Sequence, residues 1–168
     1  RRLSVPPEHK MLFTDRLQGT EKTLLRHSLK DFVLKRKDKL YAYQLAVVVD
    51  DAEQGITHIV RGSDLLDLTP RQIFLQQCLN YPTPIYCHLP VITTRQGQKY
   101  SKQNHAPALD NSMAHSNLLC ALRFLNQSEP PPALASIEQV LTYAIEHWSL
   151  EQVPAVSSIP AASIGLST

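Results

Sequence analysis

The sequence has too little of several things to support common alternatives. Its three cysteines, Cys78, Cys87 and Cys120, are an odd number set far apart. No C-x-x-C pair occurs, so neither a disulfide framework nor a cysteine zinc site can be read from them. They are expected as small buried hydrophobes in a reducing compartment. No apolar run reaches the roughly 18 residues that cross a bilayer, and the opening RRLSVPPEHK lacks the apolar core of a signal peptide. A soluble cytoplasmic protein with no membrane partner is the expectation. Charge of either sign is scarce in excess, since 17 Lys+Arg against 15 Asp+Glu leave a formal +2. Net charge therefore does not mark a nucleic-acid binder, and any RNA contact must come from local clusters. Internal repeats are absent, and none of the seven histidines stands in an H-x-G-H setting.

What is present suffices for one core, or for one core and a small helical appendage: 168 residues, 43% of them apolar. The first forty residues read as β-rich. KMLFTDRLQG and KDFVLKRKDKLYAY alternate in part, and the polar KRKDK between apolar flanks predicts a hairpin turn. Lys35, Arg36, Lys37 and Lys39 make it the most basic spot of the chain, suited to a solvated turn or to an RNA backbone. Leu45 to Val49 is apolar on every side, so periodicity does not separate a buried strand from a buried helix there. GITHIVRG reads as a strand that turns at Arg61-Gly62. In LTPRQIFLQQCLN, Thr69 can cap, Pro70 fits the first helical position and Gln72 sits where a capping-box partner reaches back. A helix over 70–79 follows, stopped by Asn80 and the prolines of YPTP. PIYCHLPVI reads as a further short buried strand. Strand, helix, strand and then a loop is the order of half a parallel α/β sheet.

Beyond Pro107 the pattern turns helical. NLLCALRFLN places Leu118, Ala121, Leu122 and Leu125 on one face, and SIEQVLTYAIEHW repeats Ile137, Val140, Leu141, Ala144, Ile145 and Trp148 behind a Ser136/Gln139 capping box. Both read as ordinary core faces. The last dozen residues, small and polar, are expected to fray.

The stretch QKYSKQNHAPAL carries Lys99 and Lys102 around a tyrosine and Ser101. Two ammonium groups on a loop at the C-terminal edge of a parallel sheet suit a ligand whose negative charge builds up or departs during reaction. By itself KYSK also suits a solvated surface loop.

The order AYQLAVVVDDAEQGITHIVRGSDLLDLTPRQIFLQQCL, then HLPVI, then KYSKQN resembles the second half of the catalytic domain of glutamyl-type class I aminoacyl-tRNA synthetases, from about Leu12 to Val153. KYSKQ is similar to the lysine-serine-lysine nucleotide loop of that class. The glutamine-asparagine that follows, with HAPAL, is more like the branch that glutamylates queuosine in tRNA(Asp) than like true glutamyl-tRNA synthetases, which usually place arginine and histidine there. The resemblance implies an α/β fold, the second half of a Rossmann-like catalytic domain. A β-rich part of an inserted subdomain would span 1–42, the half-Rossmann part with the lysine loop 43–110, and a small helical subdomain with a frayed tail 111–168. It implies activation of L-glutamate by ATP, with Mg2+, and transfer to queuosine in the anticodon loop of tRNA(Asp).

By position, the resemblance assigns Tyr43 and Arg61 to glutamate, and Lys99, Ser101 and Lys102 to ATP, with Lys102 the catalytic lysine. HLPV would lie against adenine through backbone groups. The Asp50-Asp51 pair is expected to be structural. The family's histidine signature, its glutamate-amine contacts and its zinc site have no counterpart here. The isolated chain is therefore expected to be an inactive portion that needs an N-terminal half. A fragment of a true glutamyl-tRNA synthetase and a non-catalytic RNA-binding remnant are the alternatives.

Overall fold

Alternation in KMLFTD makes a strand with two unlike faces. Strand β2 (Lys10–Asp15) pairs antiparallel with β3 (Gly19–Leu24), with Asp15 opposite Gly19. Met11 and Asp15 are buried on one face of β2, while Leu12 on the other is exposed. The computed structural model describes residues 1–5, 10–24, 31–101, 106 and 108–164. They divide into two units, Arg1–His88 and Leu89–Thr168.

In the first unit, β1 (Arg2–Leu3) pairs antiparallel with β4 (Phe32–Val33). The basic KRKDK is an exposed turn, closed by the Arg36 N–H donating to Leu40 C=O and by a Lys35–Tyr41 bridge. The undecided apolar run Leu45 to Val49 is helical, within α1 (Tyr43–Glu53), and Val48 is its buried residue. Strand β5 (His58–Gly62) follows, then a 3-10 turn (Ser63–Leu68), α2 (Thr69–Leu79) and β6 (Ile85–Leu89), which pairs with β5. Asn80 stops α2 in the left-handed region, at φ 56°. Met11, Phe32, Val48, Ile73, Phe74, Leu75 and Tyr86 form the core.

The start of α2 departs from the capping expectation. Thr69 is already the first helical residue and Leu68 stands at the cap without a side-chain bond. The reason is local: α2 runs on directly from the 3-10 turn, and the Thr69 hydroxyl bonds back to Leu65 C=O at 3.2 Å. Gln72 is buried, and its amide has no partner among the described residues.

Pro90 splits the expected single strand PIYCHLPVI into β6 and, in the second unit, β7 (Val91–Thr93), as a residue without an N–H tends to do. β7 pairs in parallel with β8 (Ser158–Pro160). The stretch expected to fray thus contains a strand and a 3-10 turn (Ala161–Ile164), because the ladder with β7 gives its backbone partners. Helices α3 (Ala114–Phe124) and α4 (Ile137–Glu146) fall where periodicity put them, and Ser136 and Gln139 make a reciprocal capping box at 3.1 Å. The core face expected of α4 is mostly exposed. Val140 is buried, whereas Ile137, Leu141, Ile145 and Trp148 are 44–78% exposed, since α3 is the main neighbour covering the helix.

Candidate functional site

The first unit gathers a polar network at the ends of β5 and β6. The Ile85 N–H donates to Thr57 C=O where the strands begin, and Arg61 meets His88 where they finish. The strands therefore run the same way, and their C-terminal ends, where α/β folds place ligands, carry Arg61 and His88. Arg61 Nε donates to His88 Nε2 at 2.9 Å and Nη2 donates to Thr69 Oγ1 at 2.8 Å. His88 Nδ1 lies 2.6 Å from Asp15 Oδ2, both side chains fully buried. Asp15 Oδ1 accepts the backbone N–H groups of Leu17, Gln18 and His88 at 3.0, 2.9 and 3.1 Å. The Arg61 guanidinium also lies 5.2 Å from the centre of the Tyr86 ring, whose hydroxyl accepts from Gln76 at 3.0 Å.

This pattern settles the protonation of His88. An arginine has only donors, so Nε2 must accept, and the ring proton sits on Nδ1 and faces the Asp15 carboxylate. His88 is a neutral imidazole in contact with a carboxylate. Burial draws it below the ordinary histidine range, and the nearby Arg61 charge adds to that against the bond to Asp15. For Asp15, burial pushes upward, but the Gln18 N–H, the imidazole and the His88 and Leu17 N–H groups together hold the carboxyl below its usual value. Burial also lowers Arg61, opposed by Tyr86, Tyr43, Asp51 and Asp15.

These directions fix a pH dependence. A histidine that resists protonation when folded contributes no penalty above its unfolded value of 6.5 and destabilises as pH falls below it. Asp15 contributes stability above its unfolded value of 3.8 that is lost as pH falls through its lower folded value. Stability should therefore fall on acidification, with a slope that starts near pH 6.5 and approaches about 1.4 kcal/mol per pH unit per coupled proton roughly a unit lower. Urea midpoints measured at about pH 7.5 and about pH 5.5 check this. Equal midpoints would mean that His88 takes up its proton as readily in the folded state as in the unfolded one.

Of the residues assigned to glutamate, Arg61 is half-buried in the network, and Tyr43, 56% exposed at the start of α1, lies close enough to act on its charge. Asp51 joins them, half-buried and pushed up by burial against the pull of Arg61, while Asp50 is exposed. In the second unit, Lys99 is bridged to Thr93 across a turn closed by the Thr94 N–H to Gln98 C=O, and Ser101 C=O accepts the Ala106 N–H. Lys102 and Gln103 lie outside the described residues. Sequence reasoning missed Asp15, Thr69 and the His88 side chain as supports of Arg61, having read HLPV for its backbone. A signal existed. Asp15 shares the buried face of an alternating strand, and His88 sits inside the apolar PIYCHLPVI, so both needed bonded partners. A cleft of about 390 Å3, lined by Asp51, Ile56, His58, Gln76 and Ile85 among others, opens beside the beginnings of the strands, and Asp51 in its wall also acts on the charge of Arg61.

Residues 2–119 match the family described as tRNA synthetases class I (E and Q), catalytic domain. The chain belongs to this family. Similar curated relatives include the glutamyl-Q tRNA(Asp) synthetase of Neisseria meningitidis serogroup A, 52% identical over 148 residues, which are 88% of this chain and 50% of the relative. The protein of the same name from Pseudomonas fluorescens is 47% identical over 160 residues, 94% of this chain and 53% of the relative. The chain thus spans about half the length of the curated relatives it matches. The crystal structure of a glutamate–tRNA synthetase from Elizabethkingia anophelis superposes with a TM-score of 0.70 at 21% identity, covering 97% of this chain and 37% of that one. The class I synthetase catalytic fold, with mixed α and β content, follows from the family match and this superposition.

Proposed function

We propose that this chain contributes the second half of a site that activates L-glutamate with ATP and transfers the glutamyl group to queuosine in the anticodon loop of tRNA(Asp). The observation that carries the glutamate part is Arg61, a planar fork held by buried partners at the C-terminal end of a strand, with Tyr43 near enough to act on its charge. The names of relatives about half identical to the chain support the choice of acceptor.

In activation, an α-carboxylate oxygen of glutamate attacks the α-phosphorus of ATP and pyrophosphate leaves. In transfer, the queuosine base takes the glutamyl group and AMP leaves. The α-carboxylate is consumed as the nucleophile, so an arginine that keeps its hold through both steps suits the side-chain carboxylate. Two parallel charge-assisted bonds then favour glutamate over glutamine, whose amide cannot accept on both atoms. Lys99, Ser101 and Lys102 would meet the triphosphate, and Mg2+ would arrive with it as part of the substrate.

The test uses the full-length protein that carries this chain. Glutamate-dependent ATP–pyrophosphate exchange and glutamylation of queuosine-containing tRNA(Asp), with none of tRNA(Glu), are expected. Charging of tRNA(Glu) instead would overturn the acceptor. Arg61→Lys should raise the KM for glutamate by about tenfold or more while sparing that for ATP, since charge-assisted bonds contribute roughly 1.5–3 kcal/mol and an ammonium cannot reproduce the fork.

A further inference from the structure

We infer that Asp15 and His88 are positioning residues for Arg61, and that they decide which edge of its guanidinium meets the substrate. The inference rests on the assignment of Arg61 to a carboxylate. A guanidinium has a side edge, made by the Nε–H and one N–H of Nη2, and an end edge, made by Nη1 and the other N–H of Nη2. Here the side edge is occupied at both points, by His88 Nε2 at 2.9 Å and by Thr69 Oγ1 at 2.8 Å. Among the described residues, none accepts from Nη1. A carboxylate must then approach end-on, through Nη1 and Nη2.

The imidazole can take the side edge only because Asp15 fixes its tautomer. The carboxylate oxygen 2.6 Å from Nδ1 holds the proton there and leaves Nε2 as an acceptor. Thr69 Oγ1 lies 3.2 Å from both Leu65 C=O and His88 Nε2, so its proton goes to one of two acceptors and a lone pair is left for Arg61. Each donor and acceptor along Asp15, His88 and Arg61 depends on the one before it.

Asp15→Asn is the informative change. Asparagine keeps an oxygen for the backbone N–H groups of Leu17, Gln18 and His88, which preserves the turn. It replaces the other oxygen by an NH2 donor facing Nδ1. The ring proton must move to Nε2, where it meets the Arg61 Nε–H head-on, and two donors cannot bond. The side edge loses its anchor with the charge of Arg61 intact.

In the full-length protein, Asp15→Asn should raise the KM for glutamate on the order of tenfold while leaving the KM for ATP within about twofold, by analogy with other tautomer-setting carboxylates. In an Arg61→Lys background the same change should add nothing. A normal glutamate KM in Asp15→Asn, beside a large effect of Arg61→Lys, overturns the positioning role and leaves the proposed function standing. An unaltered glutamate KM in Arg61→Lys overturns the assignment of Arg61 itself. An equal rise from Asp15→Asn in both backgrounds shows an effect that bypasses Arg61 and also overturns the inference. Nitrogen-15 NMR of the unsubstituted protein gives a reading that does not depend on any variant folding. His88 should show a neutral ring protonated at Nδ1, and an Nε2–H tautomer or an imidazolium overturns the relay.

Discussion

Lys102→Ala in the full-length protein is expected to slow formation of glutamyl adenylate by about a hundredfold or more, with little change in the KM for ATP. The loop resembles a class I nucleotide signature, and its second lysine is the one assigned to the triphosphate. In that assignment, negative charge grows on the leaving oxygens as pyrophosphate departs, and an ammonium that meets them only then would lower the barrier without tightening ground-state binding. Lys99, tied to Thr93 at the base of the loop, should contribute less. Gln103 adds no charge where true glutamyl-tRNA synthetases usually carry arginine, so Gln103→Ala should leave activation nearly unchanged. Single-turnover adenylate formation at saturating glutamate separates these cases. A Lys102→Ala protein that forms adenylate at the normal rate, or that loses only ATP affinity, would remove the lysine from the chemistry.

The second large effect concerns stability. Leu75→Ala should cost about 2–5 kcal/mol, a large share of the roughly 5–15 kcal/mol that holds a domain folded. Leu75 is 2% exposed in the middle of α2, in one core with Ile73, Phe74 and Tyr86. That core also carries β6, so loosening it should disturb His88 and Arg61 in turn. Ile145→Ala, at a side chain 78% exposed on α4, should stay within about 0.5 kcal/mol. Urea unfolding followed by circular dichroism reads both. A cost for Leu75→Ala below about 1 kcal/mol would mean that α2 closes around the gap.

Elements with a local cause were legible from sequence. Pro70 marked the first turn of α2 and Asn80 its end, and the Ser136/Gln139 box opened α4 as expected. Leu45 to Val49 was undecidable because an apolar run carries no period, and tertiary packing made it α1. The face of α4 misled because periodicity tells which residues line up, while burial depends on what lies opposite. β8 was missed for a similar reason. Ser158 and Pro160, which flank Ile159, have little strand preference, and β7, more than sixty positions earlier, supplies the partners for the backbone of β8.

The candidate site divides along the same line. Arg61 was assigned through a motif, a contiguous pattern in one segment. Asp15 and His88 are 73 positions apart, and only the packing of β2 against β6 makes them neighbours. Thr69 looked like a cap because its local sequence suits one, but the 3-10 turn before α2 takes its hydroxyl back to Leu65 C=O, and the position of β5 brings Arg61 onto its oxygen.

The clamped side edge of Arg61 has a consequence for entropy. A free arginine samples many rotamers, and freezing one costs up to about 2 kcal/mol. Since His88 and Thr69 already hold Arg61 at 2.9 and 2.8 Å, that loss is incurred once, when the first unit folds. An anion arriving at the proposed end edge would meet a fork already ordered by two bonds, and little of its bonding energy would go into ordering the side chain.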